Sequence, residues 1–244
     1  MVELKPKVKS ENLDGGMEVM ARKKEEDEDR AQGEALLRQQ IAVARLGQLA
    51  LTIANLPTLL KEATVLVGET LNVQFAQVWK YTKNSQTMRL RGGIDRSENM
   101  VKGITIDSKE TETEEKLVTK QTKINWSSIL EKQGVASSIS AVIQIVEENK
   151  DRAKVSLWGV LAAHTTEKRN FSKDEIAFLQ AIANMLSAAI ARARSDERLR
   201  LLASAVQYAE DSILITTTEL EPPGPEIVFV NSAFTRMTGY IKSH

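Results

Sequence analysis

His164 and His244 are the two imidazoles of this 244-residue chain, and it has no cysteine. Thiol catalysis, disulfides, thiolate metal sites and thioether attachment of a cofactor are therefore excluded. Two histidines leave few ways to ligate a metal or a haem. Asp174 and Glu175 are adjacent carboxylates, but they stand where an apolar helical stripe begins. There, negative charge complements the positive end of a helix dipole, so the pair is read as structural. The sequence shows no nucleophile–base pair, no phosphate-cradling glycine loop and no metal-ligand cluster. No catalytic residue and no metal site is assigned, and the chain reads as a non-enzyme. What remains is His164, directly after the apolar WGVLAA, and three large aromatics, Trp79, Trp126 and Trp158. Such aromatics either line a pocket between a sheet and its loops or are plain core.

The elements that must position these residues follow from periodicity. Phe171 to Ala209 predicts one long helix. Ser172 and Glu175 have capping-box spacing, and Ile176, Leu179, Ile182, Leu186 and Ile190 form one apolar face. From Arg192 to Arg200 the run turns charged, and the stripe restarts at Leu199, Leu202 and Val206. A helix buried in its first half and solvated in its middle is one that leaves a domain. Near the other end, a helix is expected from about Gly33, with Leu46, Leu49, Ile53 and Leu56 on one face. Pro57 breaks or restarts it, and TLLKEATVLVGETL continues as a second amphipathic helix.

Strands are expected at Val73–Tyr81, Met88–Arg91 (ended by Gly92–Gly93) and Val101–Asp107. SKETETEEKLVTKQ reads as an exposed segment becoming a helix, TKIN as a short strand, and WSSILEKQG as a single helical turn or lid. SISAVIQIV and KVSLWGVLAAHT form a hairpin. On its second strand Val155, Leu157, Leu161 and Ala163 alternate with Trp158, Val160 and Ala162. Apolar residues on both sides mean that both faces of the sheet are covered. The fold class is α+β: a central antiparallel sheet, with N- and C-terminal helices packed on one face and loops or short helices on the other.

Composition bounds the partners. Apolar residues make up 42% of the chain, and Lys+Arg and Asp+Glu number 33 each, so the net charge is zero. That balance gives no reason to expect nucleic acid or an anionic membrane. No apolar run looks long enough to span a bilayer, no signal-peptide core is present, and a cytoplasmic location is expected. Residues 1–33, with KKEEDEDR at 23–30, are read as a charged, disordered leader.

From about Glu34 to Arg194 the chain resembles a GAF domain. SLWGVLAAHTTEKRNFSKDEIAFLQAIANMLSAAIARA is similar to that family's closing strand, polar loop and helix. RLGQLALTIANLPTLLKEATVLVGETLNVQFAQVWKY is similar to its opening helix pair and first strand. AVQYAEDSILITTTELEPPGPEIVFVNSAFTRMTGY resembles the first part of a PAS domain. In it Asn231 should cap a helix and Gly239 end it. The domain reading is 34–197 GAF, then 198–244 a linker helix and a truncated PAS domain. That tail is expected to be disordered, docked on a partner or an artefact of where the chain was cut.

These resemblances imply a regulatory, sensory role in a bacterial signal-transduction protein, with wording closest to cyanobacterial examples. The expected arrangement is a two-component type of sensor: a homodimer whose terminal helices relay a small-molecule or partner signal to a downstream output domain, a histidine kinase or diguanylate cyclase. By family position the ligand residues would be Trp126, Ile129, Leu130, Ile143, Trp158 and His164. The dimer interface would be Leu46, Leu49, Ile53, Ile182, Leu186 and Ile190. The cofactor is left unassigned. In phytochrome-like GAF domains a histidine near the place of His164 contacts a linear tetrapyrrole, but a covalent bilin is excluded here by the absence of cysteine. A noncovalent chromophore and a ligand-free dimerisation scaffold are the alternatives, and a hydrogen-bonded strand-end histidine is the plain reading of His164. Asn170, Phe171, Asp174 and Glu175 are too compressed for the family's cyclic-nucleotide motif. Methionine sulfoxide reduction, known for some members, needs cysteines.

Overall fold

The computed structural model describes residues 11–52, 55–85, 87–95, 105–107, 134–149, 152–219 and 221–240. It divides into two compact units, Met1–Ala188 and Ala189–His244. In the first unit the elements run α1 (Glu11–Thr52), α2 (Leu56–Thr70), β1 (Phe75–Thr82), β2 (Thr87–Asp95), β3 (Thr105–Asp107), β4 (Ser137–Asn149) and β5 (Arg152–Thr165). The long helix α3 (Lys173–Gln207) starts in this unit and ends in the second. The strands form one antiparallel sheet in the order β3-β2-β1-β5-β4. The expected α+β architecture is therefore the observed one.

Two boundaries differ from expectation. Helix α1 reaches back to Glu11, through the charged segment read as a disordered leader. Its side chains from 22 to 34 are exposed, and the pairs Lys24–Glu28 (3.7 Å) and Arg30–Glu34 (3.3 Å) sit one helical turn apart. Such pairs favour a helix without any core contact. Strand β2 runs through Gly92 and Gly93 rather than ending there. The reason is spatial: a Cβ on Gly92 would stand 3.3 Å from the backbone of Leu60, so the glycine lets α2 approach the sheet. Pro57 falls in the first turn of α2, where its missing N–H costs nothing.

Helix α2 defines one face of the sheet. Gly92 pairs with Val78 and Ile94 with Ala76, and both Gly92 and Ile94 lie against α2. On neighbouring strands Leu161 and Ala163 share that face by register. The long terminal helices also meet here: a Cβ on Gly47 of α1 would stand 3.0 Å from Met185 Cε of α3. By length and composition α3 is apolar enough to cross a membrane, contrary to the sequence reading that no such run exists. Yet Phe178, Leu179, Ile182 and Leu186 are buried inside the chain, as in the core helix of a globular domain.

The second unit has its own hub. The buried Asn231 amide donates to the carbonyls of Val206 (3.2 Å) and Asp211 (2.9 Å). Its carbonyl accepts from the backbone N–H groups of Ile213 and Phe234, both at 3.0 Å. One side chain thereby ties the end of α3 to the two-stranded β6 (Leu214–Thr216) and β7 (Ile227–Val230) and caps α4 (Ser232–Thr238). Gly239 ends α4 in the left-handed region at φ 76°. The expected cap and stop are both present. The described part of the tail has defined elements, and these hydrogen bonds anchor it to α3.

The alternation read on β5 fails at one point. Ile143 pairs with Gly159 but Gln144 pairs with Leu157, so Trp158 is an extra, bulged residue. Leu157 consequently lies with Val160 and Ala162, not with Leu161 and Ala163. Beside the bulge, a Cβ on Gly159 would stand 2.0 Å from the Trp79 carbonyl oxygen. Gly159→Ala is expected to cost about 3 kcal/mol, since backbone must move to admit the methyl. Gly33→Ala, where a Cβ meets nothing within 4 Å in the middle of α1, should be neutral or stabilising. Urea midpoints of the two variants check the contrast.

Candidate functional site

The face of the sheet opposite α2 carries the candidate site. Strand alternation puts Gln77, Trp79 and Tyr81 of β1 on it, with Val160, Ala162 and His164 of β5 and Ser138 and Val142 of β4. Trp79, Met88, Leu157, Val160 and Ala162 form a buried apolar cluster, with Tyr81, Leu90 and Val142 packed against it. The Trp79 indole N–H donates to Gln77 Oε1 at 3.1 Å, so the one polar group of that ring is satisfied.

His164 closes one end of this face. It sits between Phe75 on β1 and Ser138 on β4, and is fully buried. Its Nδ1 lies 2.8 Å from Ser138 Oγ. Burial holds the imidazole neutral by lowering its pKa from 6.5 to about 4. A serine hydroxyl on an imidazole is the contact of a nucleophile–base pair, and the sequence did not reveal it, because only the β4–β5 register brings the two together. An imidazole so weakly basic is poorly matched to accept the serine proton at neutral pH. What it does well is hold a hydrogen bond without charge. Among the described residues no group of three or more His, Asp or Glu side chains could hold a metal ion.

A family model described as "GAF domain" matches residues 55–190, more than half of the chain. The chain belongs to the GAF domain family. Solved structures of similar fold include the phycoerythrobilin-bound GAF domain of a cyanobacterial phytochrome, with a TM-score of 0.53 and 20% identity over 65% of this chain and 97% of that one. The phycocyanobilin-bound GAF domain of a cyanobacterial phytochrome gives 0.52 and 19% over 65% and 96%. The bacteriophytochrome RpBphP3 of R. palustris gives 0.53 and 16% over 72% of this chain and 42% of that one. At these identities the likeness is one of fold. Among curated proteins, none matches the chain.

In this GAF domain the three described members of the six expected ligand residues do not share one place. His164 is on the face just described. Ile143 is on the other face with Ala141 and Ile145, because five positions along an unbulged strand separate it from Ser138. Trp158 is buried at the bulge and stands outside the Trp79 cluster. Trp126, Ile129 and Leu130 lie outside the described residues. The residues passed over were Trp79 as a site residue, Ser138, Gln77 and Met88. Gln77 carried a signal: it is a polar residue among the buried apolar residues at the start of β1, and buried polar groups need partners.

The six expected dimer contacts include four core residues. Leu46, Ile182, Leu186 and Ile190 are fully buried within the single chain, so their side chains are already occupied in its own packing. Leu49 is half-buried and Ile53 lies outside the described residues.

The neutral His164 has a consequence for stability. Between pH 6.5 and about 4 the unfolded chain takes up a proton that the folded imidazole refuses. The contribution is complete above pH 6.5 and is lost as pH falls towards about 4, by about 3 kcal/mol in all. Urea unfolding across this range should show that loss in the wild type, and His164→Gln should remove it.

Proposed function

We propose that this chain is the sensory GAF domain of a bacterial signal-transduction protein, regulatory rather than catalytic. A small molecule or partner engages the His164 face, and the state of that face is passed along α3 to the PAS-like segment after it. Beyond lies an output domain of the histidine kinase or diguanylate cyclase type, in a two-component pathway of a cyanobacterial cytoplasm. The observation that carries this reading is the buried, neutral imidazole at the edge of an apolar aromatic face, in a domain whose last helix runs on in sequence into the second unit. Conformational relay requires a ligand that prefers one of two arrangements of that helix. Structural relatives that carry phycoerythrobilin or phycocyanobilin support a chromophore as one such ligand, held here without a covalent bond.

The domain works as a homodimer, through helix faces other than those first expected. On α1, Leu37, Ile41 and Leu51 are exposed and fall on one seam of alternating four- and three-residue steps. On α3, Leu199 and Leu202 are exposed with the same spacing. Apolar seams of this kind are covered in water by a second helix.

Native mass spectrometry of the full chain from its own host tests both parts. A dimer carrying extra mass supports the sensor, and visible absorbance of that species would identify a chromophore. A clean dimer would favour a ligand-free scaffold. Leu199→Glu combined with Leu202→Glu is expected to shift the dimer towards monomer, whereas an unaltered dimer would remove α3 from the interface. Leu186→Glu should instead unfold the domain, since it places a charge in the core.

A further inference from the structure

Strand β4 begins with two serines that alternation points to opposite sides. Ser138 Oγ meets His164 Nδ1 at 2.8 Å. Ser137 Oγ accepts the backbone N–H of Arg169 at 2.9 Å. The guanidinium of Arg169 then reaches two helices. Its Nη1 donates to the carbonyl of Leu71, the C-cap residue of α2, at 3.3 Å. Its Nη2 donates to Glu175 Oε1 in the first turn of α3. The group also lies 4.5 Å from the centre of the Phe171 ring.

Glu175 is itself held in place. Its Oε2 accepts the N–H of Ser172 at 2.8 Å, and Ser172 Oγ accepts the N–H of Glu175 at 3.1 Å. This is the capping box that starts α3. The side chains of Arg169 and Glu175 are only 27% and 20% exposed, so this is not a solvated surface pair of negligible strength. One side chain thus joins the end of α2 to the start of α3, and its backbone is tied to the residue beside the serine that meets His164.

We propose that Arg169 is the positioning residue that couples the His164 face to the helices. The inference rests on the relay reading above and names its carrier. A change at His164 that moves Ser138 also moves Ser137, and with it the backbone of Arg169. The rigid guanidinium fork must satisfy Leu71 and Glu175 together, so a shift at its root alters both helix ends. A lysine keeps the charge but offers no such fork.

Amide hydrogen exchange of the full chain tests this in four forms: wild type, Ser138→Ala, Arg169→Lys and the double variant. Ser138→Ala should speed exchange in the first turns of α3, residues 176–181, by about threefold or more, the size typical of coupling through a packed network. In the Arg169→Lys background the same change should have little further effect there. Equal effects of Ser138→Ala in both backgrounds would overturn the role of Arg169 while leaving the relay intact. No effect in either would overturn the relay from this face as well. If Arg169→Lys does not fold, Glu175→Gln takes its place, because the amide oxygen still caps Ser172 while the ion pair is lost. The same outcomes then decide.

Discussion

Strand β5 has to be covered on both sides, and most of the domain follows from that requirement. It lies between β1 and β4, and from Leu157 to Thr165 every residue is buried. Alternation sends Leu161 and Ala163 towards the α2 side and Val160, Ala162 and His164 to the opposite side. Burying both faces of an apolar strand is favourable in proportion to the area removed from water, and it demands a layer on each face. The helices supply one layer. The Trp79 cluster begins the other. Gly159 makes the arrangement feasible where β5 passes closest to the Trp79 carbonyl, and the adjacent bulge at Trp158 turns Leu157 into that cluster.

The polar groups sit where this apolar sandwich ends. His164 is the last buried titratable side chain before the loop, and it stays neutral because no water reaches it. A few residues later the chain turns into α3, and the connection is held by hydrogen bonds rather than apolar packing. Thr165 accepts from Ala136 and Glu167, Gln74 accepts from Thr166, and Arg169 reaches Leu71 and Glu175. Polar contacts are directional, so a small movement of a strand end is felt at a helix end. The placement of the histidine beside this knot is what makes a sensory reading physically reasonable.

Much of this was legible in the residues. The capping box of Ser172 and Glu175, the Asn231 cap, the Gly239 stop and the β4–β5 hairpin are local, set by spacing within a few positions. Each of them appears in the structure. The candidate site was less legible. Placing Trp158 with His164 failed at a bulge, which leaves no clear mark in an apolar run, and placing Ile143 there needed the β4–β5 register. The helical stripes of α1 and α3 were read correctly as apolar faces. Periodicity reports that a face is buried without saying whether its partner belongs to the same chain.

The amino-acid sequence by itself determined the α+β class, the family, the helix caps and the exclusion of thiol chemistry. These depend on composition and on neighbours a few residues apart. Only the tertiary structure decided that His164 meets Ser138, that Arg169 bridges α2 and α3, and that Leu46, Ile182 and Leu186 are fully buried within one chain. Those contacts link residues tens of positions apart. Their pairing depends on sheet register and on which face each strand presents, and a single bulged residue is enough to change it.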